Sequence, residues 1–228
     1  MLLFPKVQQQ AQEQLDAVVG QSRLPLLADM NQLPYIQAIV RGWKSPVPTG
    51  IPHALAEDDY YEGYLIPKGS IVSVNAWSIN HDPDIYGPDA SHFCPERYLD
   101  ENGNLKDPHN DGHFSYGSGY RFNSFPLYTQ KHLLITCTRI CVGRHVANNF
   151  LFIAFATILW AMRIDPVKDS KGQPILPDPN CDTPLKGVTM RPPPFEFTTN
   201  PRFEDADTLL QHARDEIVRE NEAHSSLL

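Results

Sequence analysis

The chain has 228 residues, enough for one or two domains with a hydrophobic core, and 41% of them are hydrophobic, which excludes a disordered chain. Its formal net charge of −8 excludes nucleic acid as the expected partner, because binding phosphates needs a basic surface. Four cysteines are too few for a disulfide framework, and no secretory signal precedes them. The longest apolar run, residues 150–162, is shorter than the ~20 residues of a membrane span, so it predicts a buried helix.

The opening of the chain predicts a helix over residues 5–19. Pro5 suits the first turn of a helix and Gly20 suits its end. Between them the apolar residues recur at helical spacing, at Val7, Ala11, Leu15, Val18 and Val19. A second, short helix is predicted around residues 35–40, after Leu33-Pro34.

The stretch from 51 to 75 predicts small antiparallel strands. Aromatic and branched residues flank the turn Pro67-Lys68-Gly69, which is the pattern of a hairpin. His53 follows Pro52 near the start of this stretch. A short helix is predicted from Trp77 to a proline turn at Pro83, and Pro95-Glu96-Arg97-Tyr98 precedes a polar loop.

A cysteine loop precedes the most apolar part of the chain. The glycine-rich run Tyr116-Gly117-Ser118-Gly119 is followed, after residues 120–138, by Arg139-Ile140-Cys141-Val142-Gly143. Positive charge and the start of a helix both favour a thiolate, which is able to hold an iron. Residues 144–164 predict a helix that is buried on most faces and ends at Asp165-Pro166. Residues 166–201 then predict a terminal hairpin, and 205–228 a weakly amphipathic, acidic helix.

Apart from an excess of 18 residues within 120–138, this loop resembles the haem loop of the cytochrome P450 family. That loop reads Phe-x-x-Gly-x-Arg-x-Cys-x-Gly. The opening helix, the Pro-Lys-Gly hairpin, the His81-Asp82-Pro83 turn, the Pro-Glu-Arg segment and the apolar helix also follow in the family's order. The resemblance covers about residues 5–202 and only the C-terminal half of a fungal-type P450.

The resemblance implies a fold that is mainly α with small antiparallel β-sheets, the C-terminal part of the cytochrome P450 fold. Residues 1–204 would form a partial P450 domain with an insert at 120–138, and 205–228 would form a tail helix. The resemblance also implies a haem b (iron protoporphyrin IX) whose axial iron ligand is Cys141. Arg139 and His53 would face the haem propionates, Tyr116 would pack beside the cysteine loop, and Gly143 would allow close approach to the porphyrin.

The implied activity is that of a haem-thiolate monooxygenase. Such an enzyme inserts one oxygen atom from O2 into a small apolar organic substrate, with electrons from NADPH delivered by NADPH-cytochrome P450 reductase. Full-length eukaryotic members are attached to the endoplasmic reticulum membrane, whereas this chain shows no membrane segment and would be cytoplasmic. The family's oxygen-activating helix has no match here, so no catalytic residue is assigned and the chain as written is expected to be inactive.

Two departures from the family pattern bear on this interpretation. The Glu-x-x-Arg pair expected after Arg41 is missing, which would leave Arg97 without its usual partners. Together with the insert at 120–138, this suggests a truncated or mis-spliced gene model with a retained intron.

One alternative to a haem-thiolate monooxygenase is a non-catalytic, haem-free fragment or interaction protein. A second is a zinc module that uses Cys137, Cys141 and His145, with a distant fourth ligand such as Cys181.

Overall fold

The computed structural model describes residues 1–42, 47–106, 114–117, 141–178, 183–184 and 189–225. Its α-helices in these ranges are α1 (Pro5–Val18), α2 (Pro34–Arg41), α3 (Ala76–Asn80), α4 (Pro83–Tyr86), α5 (Arg144–Ala161) and α6 (Ala206–Ser225). Single 3-10 turns lie at Leu27–Gln32, Pro95–Tyr98 and Phe114–Tyr116. The strands are β1 (His53–Ala54), β2 (Asp59–Tyr61), β3 (Tyr64–Ile66), β4 (Ile71–Val72), β5 (Met162–Pro166), β6 (Thr183–Pro184), β7 (Met190–Arg191) and β8 (Phe197–Pro201). The predicted fold class, mainly helical with small antiparallel sheets, is confirmed.

The first helix begins and ends where its sequence predicts. Pro5 occupies the first turn, where its fixed φ is already helical and its missing N–H is not needed. Val7, Ala11 and Leu15 line one face and are buried. Gly20 ends the helix with a φ of +72°, and its amide donates to the Leu15 carbonyl oxygen at 3.2 Å.

The hydrophobic core lies where α1, α2 and α5 pack together. Its largest fully buried side chains are those of Trp160, Tyr35, Phe152, Leu15, Leu33, Ile36, Ile39 and Leu159. The indole Nε1 of Trp160 donates a hydrogen bond to the Gly20 carbonyl oxygen at 2.6 Å. The Trp160 ring also meets Phe203 edge to face, with centroids 4.8 Å apart. The centre of the core is therefore an aromatic residue of α5 joined to the end of α1.

Two glutamine side chains of α1 connect this helix to its neighbours. The buried amide of Gln8 donates to the Ile164 carbonyl oxygen and accepts from the Ile164 amide, each at 3.0 Å. Gln14 Oε1 accepts from the Tyr35 amide at 3.0 Å, at the start of α2 where no helical partner exists for that N–H. These bonds satisfy polar groups that burial would otherwise leave costly.

The end of α5 differs from its prediction. The helix stops at Ala161, and the next five residues form β5, which pairs antiparallel with β8 from Met162 opposite Pro201 to Pro166 opposite Phe197. The prediction that the helix continues to Ile164 is therefore wrong by three residues. The reason is a tertiary contact, since β8 provides strand hydrogen bonds that compete with the last helical turn.

Burial of α5 is one-sided, so the prediction of a helix buried on most faces is also wrong. Phe152, Ala156, Leu159, Trp160 and Ala161 are buried, but the side that begins beside the cysteine loop is open. There Val142, Val146 and Phe150, spaced four residues apart, are 78%, 74% and 69% exposed. We call these three residues the apolar stripe. They remain exposed because the chain's other described elements pack on the opposite side of the helix.

Small antiparallel sheets form between 51 and 75 as the sequence predicts, but the hairpin predicted around Pro67-Lys68-Gly69 is wrong, because β3 and β4 on either side of that turn do not pair with each other. Strand β1 pairs with β4 and β2 with β3, both antiparallel. A further antiparallel pair, β6 with β7, lies in the predicted terminal hairpin region, but β8 joins β5 instead. The tail helix α6 packs Leu209 and Leu210 against the core. None of the helices in the described ranges has both the length and the apolar content to cross a bilayer.

Candidate functional site

The two ends of the glycine-rich cysteine loop meet in the folded chain. The Cys141 amide donates to the Tyr116 carbonyl oxygen at 2.9 Å, although 24 residues separate the two positions. The Tyr116 hydroxyl donates to Asn148 Oδ1 on α5 at 2.8 Å. Tyr116 is thus attached both to the loop and to the helix that follows it. Gly117 continues the chain with a φ of +79°, a conformation that glycine adopts without strain.

The loop leads directly into α5. The Arg144 amide donates to the Cys141 carbonyl oxygen at 3.3 Å, and the Ala147 amide donates to the Gly143 carbonyl oxygen at 2.9 Å. Cys141 therefore lies at the positive end of the helix dipole. A Cβ atom added at Gly143 would lie 3.7 Å from the Cys141 sulfur, an ordinary contact distance. The predicted need for a glycine here, close approach to a porphyrin, stays a prediction.

The Cys141 thiol is exposed and lies at the head of the apolar stripe. A free thiol beside an uncovered apolar surface is unusual for a thiol that only fills a core, since free cysteines are among the most buried residues. This arrangement is suited to a ligand that has a metal for the sulfur and an apolar face for the stripe. The apolar stripe was not predicted as a separate feature, although the spacing of four residues between its members is visible in the sequence.

The other predicted site residues lie partly in the described structure and partly outside the described residues. His53 lies in β1, opposite Val72, and is exposed. Arg139 lies outside the described residues. So do Cys137 and Cys181, so the zinc alternative stays a prediction. His145 Nε2 accepts a hydrogen bond from the Arg144 Nε at 3.2 Å. In the described part of the chain, no three His, Cys, Asp or Glu side chains are grouped to hold a metal ion.

Arg97, which is predicted to lack its usual partners in a Glu-x-x-Arg pair, contacts other groups in the structure. Its guanidinium donates to the carbonyl oxygens of Tyr86 at 3.0 Å, Asp89 at 2.8 Å and His92 at 3.0 Å. The Asp89 carboxylate lies 3.2 Å from the same group. Main-chain oxygens of the preceding loop thus satisfy most of the donors of Arg97.

A second polar contact in this region was not predicted. The Tyr35 hydroxyl of α2 donates to Glu96 Oε1 at 2.6 Å. Burial and the adjacent Glu96 carboxylate raise the pKa of Tyr35 well above its ordinary value, so the hydroxyl remains a donor. Burial alone would raise the pKa of Glu96, but the bond from Tyr35 helps to hold it below its ordinary value. Nothing in the sequence spacing indicates this pair, because 61 residues separate its members.

Comparison with known proteins shows the family of this chain. The family model for Cytochrome P450 matches residues 1–122, just over half of the chain. A cytochrome P450 monooxygenase of Armillaria gallica is 43% identical over 223 residues, which covers 94% of this chain and 39% of the relative. The cytochrome P450 monooxygenase iboC of Amanita muscaria is 39% identical over 249 residues, with 94% and 44% covered. The chain belongs to the cytochrome P450 family.

The relatives are much longer than this chain. Cytochrome P450 monooxygenase 58 of Postia placenta, 41% identical over 216 residues, is covered over 37% of its length while 92% of this chain is aligned. The chain therefore spans about two fifths of the length of the curated relatives it matches. The match to the family model ends at residue 122, within the segment 120–138 that the sequence analysis predicts to be an insert.

Deleting residues 121–138 is expected to raise the free energy of unfolding by about 1 kcal/mol. The hydrogen bond between Cys141 and Tyr116 closes a loop of 24 intervening residues, and the deletion leaves six. Each halving of a flexible loop lowers the entropic cost of closing it by about 0.6 kcal/mol. Urea denaturation of the two chains measures the difference.

The matched control replaces residues 121–138 with an equally long glycine-serine segment, which keeps the loop length and removes the native sequence. We expect no gain in stability from that replacement. If the deletion lowers the free energy of unfolding, the segment stabilises the folded chain through its own contacts, and its interpretation as an insert is wrong.

Proposed function

We propose that the chain supplies the cysteine side of a haem-thiolate monooxygenase site, with Cys141 as the axial iron ligand of haem b (iron protoporphyrin IX). The observation that carries the proposal is the hydrogen bond from the Cys141 amide to Tyr116. It joins the two halves of the family's loop motif in space despite the residues between them.

The residues at this site fit a haem. A cysteine thiolate is an iron ligand in P450 enzymes, and the Cys141 thiol is exposed. The apolar stripe of Val142, Val146 and Phe150 provides a surface for the flat, apolar face of a porphyrin. The exposed imidazole of His53 is available to a propionate, and we propose the same role for Arg139.

In the proposed site each residue has a limited task. Tyr116 holds the loop against α5 through Asn148, and the start of α5 stabilises negative charge on the Cys141 sulfur. Gly143 would allow close approach of the porphyrin to the loop, as the family resemblance implies. When bound, a thiolate-ligated haem supplies electron density that favours cleavage of the O–O bond.

The activity proposed for the longer protein is insertion of one oxygen atom from O2 into a small apolar organic substrate. Electrons would come from NADPH through NADPH-cytochrome P450 reductase, at the endoplasmic reticulum membrane. Residues 1–204 would be part of the P450 domain and 205–228 a terminal helix. The exposed stripe leads us to propose that this chain alone binds haem without turning over substrate, because little of its own structure keeps water from that side.

A carbon monoxide difference spectrum tests the proposal. The chain is mixed with haem, reduced and exposed to carbon monoxide, and we expect the strongly red-shifted Soret band of a thiolate-ligated haem. Cys141→Ser should abolish that band completely. Cys94→Ser, which changes the other free cysteine in the described residues, should leave it unchanged.

A red-shifted band that persists in Cys141→Ser would contradict the assignment of the ligand. Absence of haem uptake by a folded, unaltered chain would favour the second candidate, a haem-free interaction fragment. The specific observation in favour of that candidate is the same apolar stripe, since an uncovered apolar face also suits a protein partner.

A further inference from the structure

We propose that the chain has a second binding site, separate from Cys141, which takes a fatty carboxylate with its alkyl tail inside a cavity and its head group at Arg191. The cavity has a volume of about 920 Å³ and lies among the end of α2, helix α3, the 3-10 turn at Pro95–Tyr98 and strand β7. Cys141 does not line it. The proposal does not depend on haem binding.

The walls of the cavity are largely apolar. They include Phe4, Ile39, Trp77, Phe93 and Phe155, and most of the surface facing the cavity is carbon. A volume of this size is at the upper end of those that hold drug-sized ligands, about 300–1,000 Å³. An elongated alkyl chain fits such walls because it makes no demand for hydrogen bonds inside them.

Among the residues that the structure describes, the acidic and basic side chains that line the cavity are all basic. They are Arg41, His81, His92, Arg97 and Arg191, and no Asp or Glu side chain of the described ranges is among them. This is notable in a chain whose net charge is −8. A cavity with cationic groups over apolar walls selects an anion with an apolar body.

The three arginines that line the cavity differ in the hydrogen bonds and ion pairs that their side chains already make. Arg97 donates to three main-chain oxygens and lies 3.2 Å from the Asp89 carboxylate. Arg41 donates to the Lys106 carbonyl oxygen at 2.8 Å. Arg191 pairs with Thr183 through its backbone, but its exposed side chain has no hydrogen bond or ion pair with the residues that the structure describes. The head group is therefore assigned to Arg191, whose planar fork matches a carboxylate.

A single negative charge on the ligand is favoured over two. Asp89 pairs with Arg97, which lines the cavity, and Glu96 Oε2 accepts from the thiol of the lining residue Cys94 at 3.4 Å. These carboxylates offset part of the positive charge that a phosphate dianion would need. A monoanionic carboxylate gains from Arg191 with less repulsion from Asp89 and Glu96.

The location of Cys94 in the lining provides a direct measurement. The chain, without added haem, is alkylated with N-ethylmaleimide in the presence of dodecanoate below its micelle concentration, and mass spectrometry follows each cysteine. A ligand at ten times its Kd should slow alkylation of Cys94 about tenfold. Cys141, which lies outside the cavity, is the internal reference and should react at an unchanged rate.

Two comparisons test the role of the charge. Dodecanol, of equal length and without charge, and the variant Arg191→Gln should each raise the Kd about tenfold, as expected for loss of a charge-assisted hydrogen bond. The same ligand concentration should then slow alkylation of Cys94 only about twofold. Arg214→Gln, on the exposed side of α6, removes an arginine elsewhere and should leave protection unchanged.

Four results would overturn the proposal. They are the absence of protection by dodecanoate, equal slowing at Cys94 and Cys141, equal protection by dodecanol, and equal protection in Arg191→Gln and Arg214→Gln. Equal slowing at both cysteines would indicate adsorption to apolar surface in general. The dodecanol comparison uses the unaltered chain, so the test does not depend on how a variant folds.

Discussion

Replacement of Trp160 by Ala is expected to lower the free energy of unfolding by about 3–5 kcal/mol, the range for removing a large aromatic residue from a core. Trp160, a residue of α5, is 0% exposed and contacts both Gly20 after the end of α1 and the ring of Phe203. The change leaves a cavity and also removes the donor that satisfies the Gly20 carbonyl oxygen. Urea denaturation followed by circular dichroism measures the effect.

Trp77→Ala is the matched control, because it removes the same atoms from a side chain that is 53% exposed. Trp77 stacks on His81 with centroids 4.6 Å apart, so a loss of about 1 kcal/mol is expected there. Similar losses in both variants would contradict the location of the core. A Trp160→Phe variant should lie between them, since it keeps an aromatic ring but not the indole N–H.

Arg97→Met is expected to destabilise the chain by about 1–3 kcal/mol, because it removes the donor for three carbonyl oxygens, of which that of Tyr86 is in a partly buried hydrogen bond. The Arg97 side chain is only 13% exposed and donates to three main-chain oxygens between residues 86 and 92. Methionine preserves much of the apolar stem, so the loss reports on the guanidinium. Chemical denaturation measures it.

Arg97→Lys should fail to restore most of this stability, because one ammonium group does not reach three separate oxygens in the geometry of a guanidinium. The control is Arg163→Met, where the side chain is 66% exposed and pairs with Asp165 at 3.0 Å. Such surface pairs contribute about 0–1 kcal/mol. If Arg97→Met is no more harmful than Arg163→Met, the loop from Tyr86 to His92 does not depend on Arg97.

The parts of the fold that could be predicted are those with local signals. Helix α1 has a proline at its start, a glycine at its end and a regular apolar face, and all three appear in the structure. The branched and aromatic residues between 51 and 75 predicted small antiparallel strands, although the turn that joins β2 to β3 is Glu62-Gly63 and not the predicted Pro67-Lys68-Gly69. These features depend on neighbours within a few residues, which a sequence displays directly.

Features set by distant contacts could not be predicted in the same way. The end of α5 depends on β8, which begins 36 residues after Ala161, and the partners of Arg97 are main-chain oxygens that no side-chain pattern reveals. The exposed side of α5 was predicted to be buried, because an apolar helix surface usually packs against another surface. The sequence does not indicate whether that other surface belongs to the same chain. At the site, the loop motif predicted Cys141 and Tyr116 as neighbours, whereas Asn148 was missed.

The end of α2 bears on any attempt to rebuild the missing helical turn. Gly42 follows the last helical residue, and a Cβ atom there would lie 2.9 Å from Cε2 of Phe93. The Phe93 ring in turn packs on Phe4, with centroids 5.1 Å apart. The aromatic pair thus forms part of the cavity wall beside Gly42. A Glu-x-x-Arg segment grafted after Arg41 would put a side chain in place of Gly42, so the Phe93 ring would have to move as well.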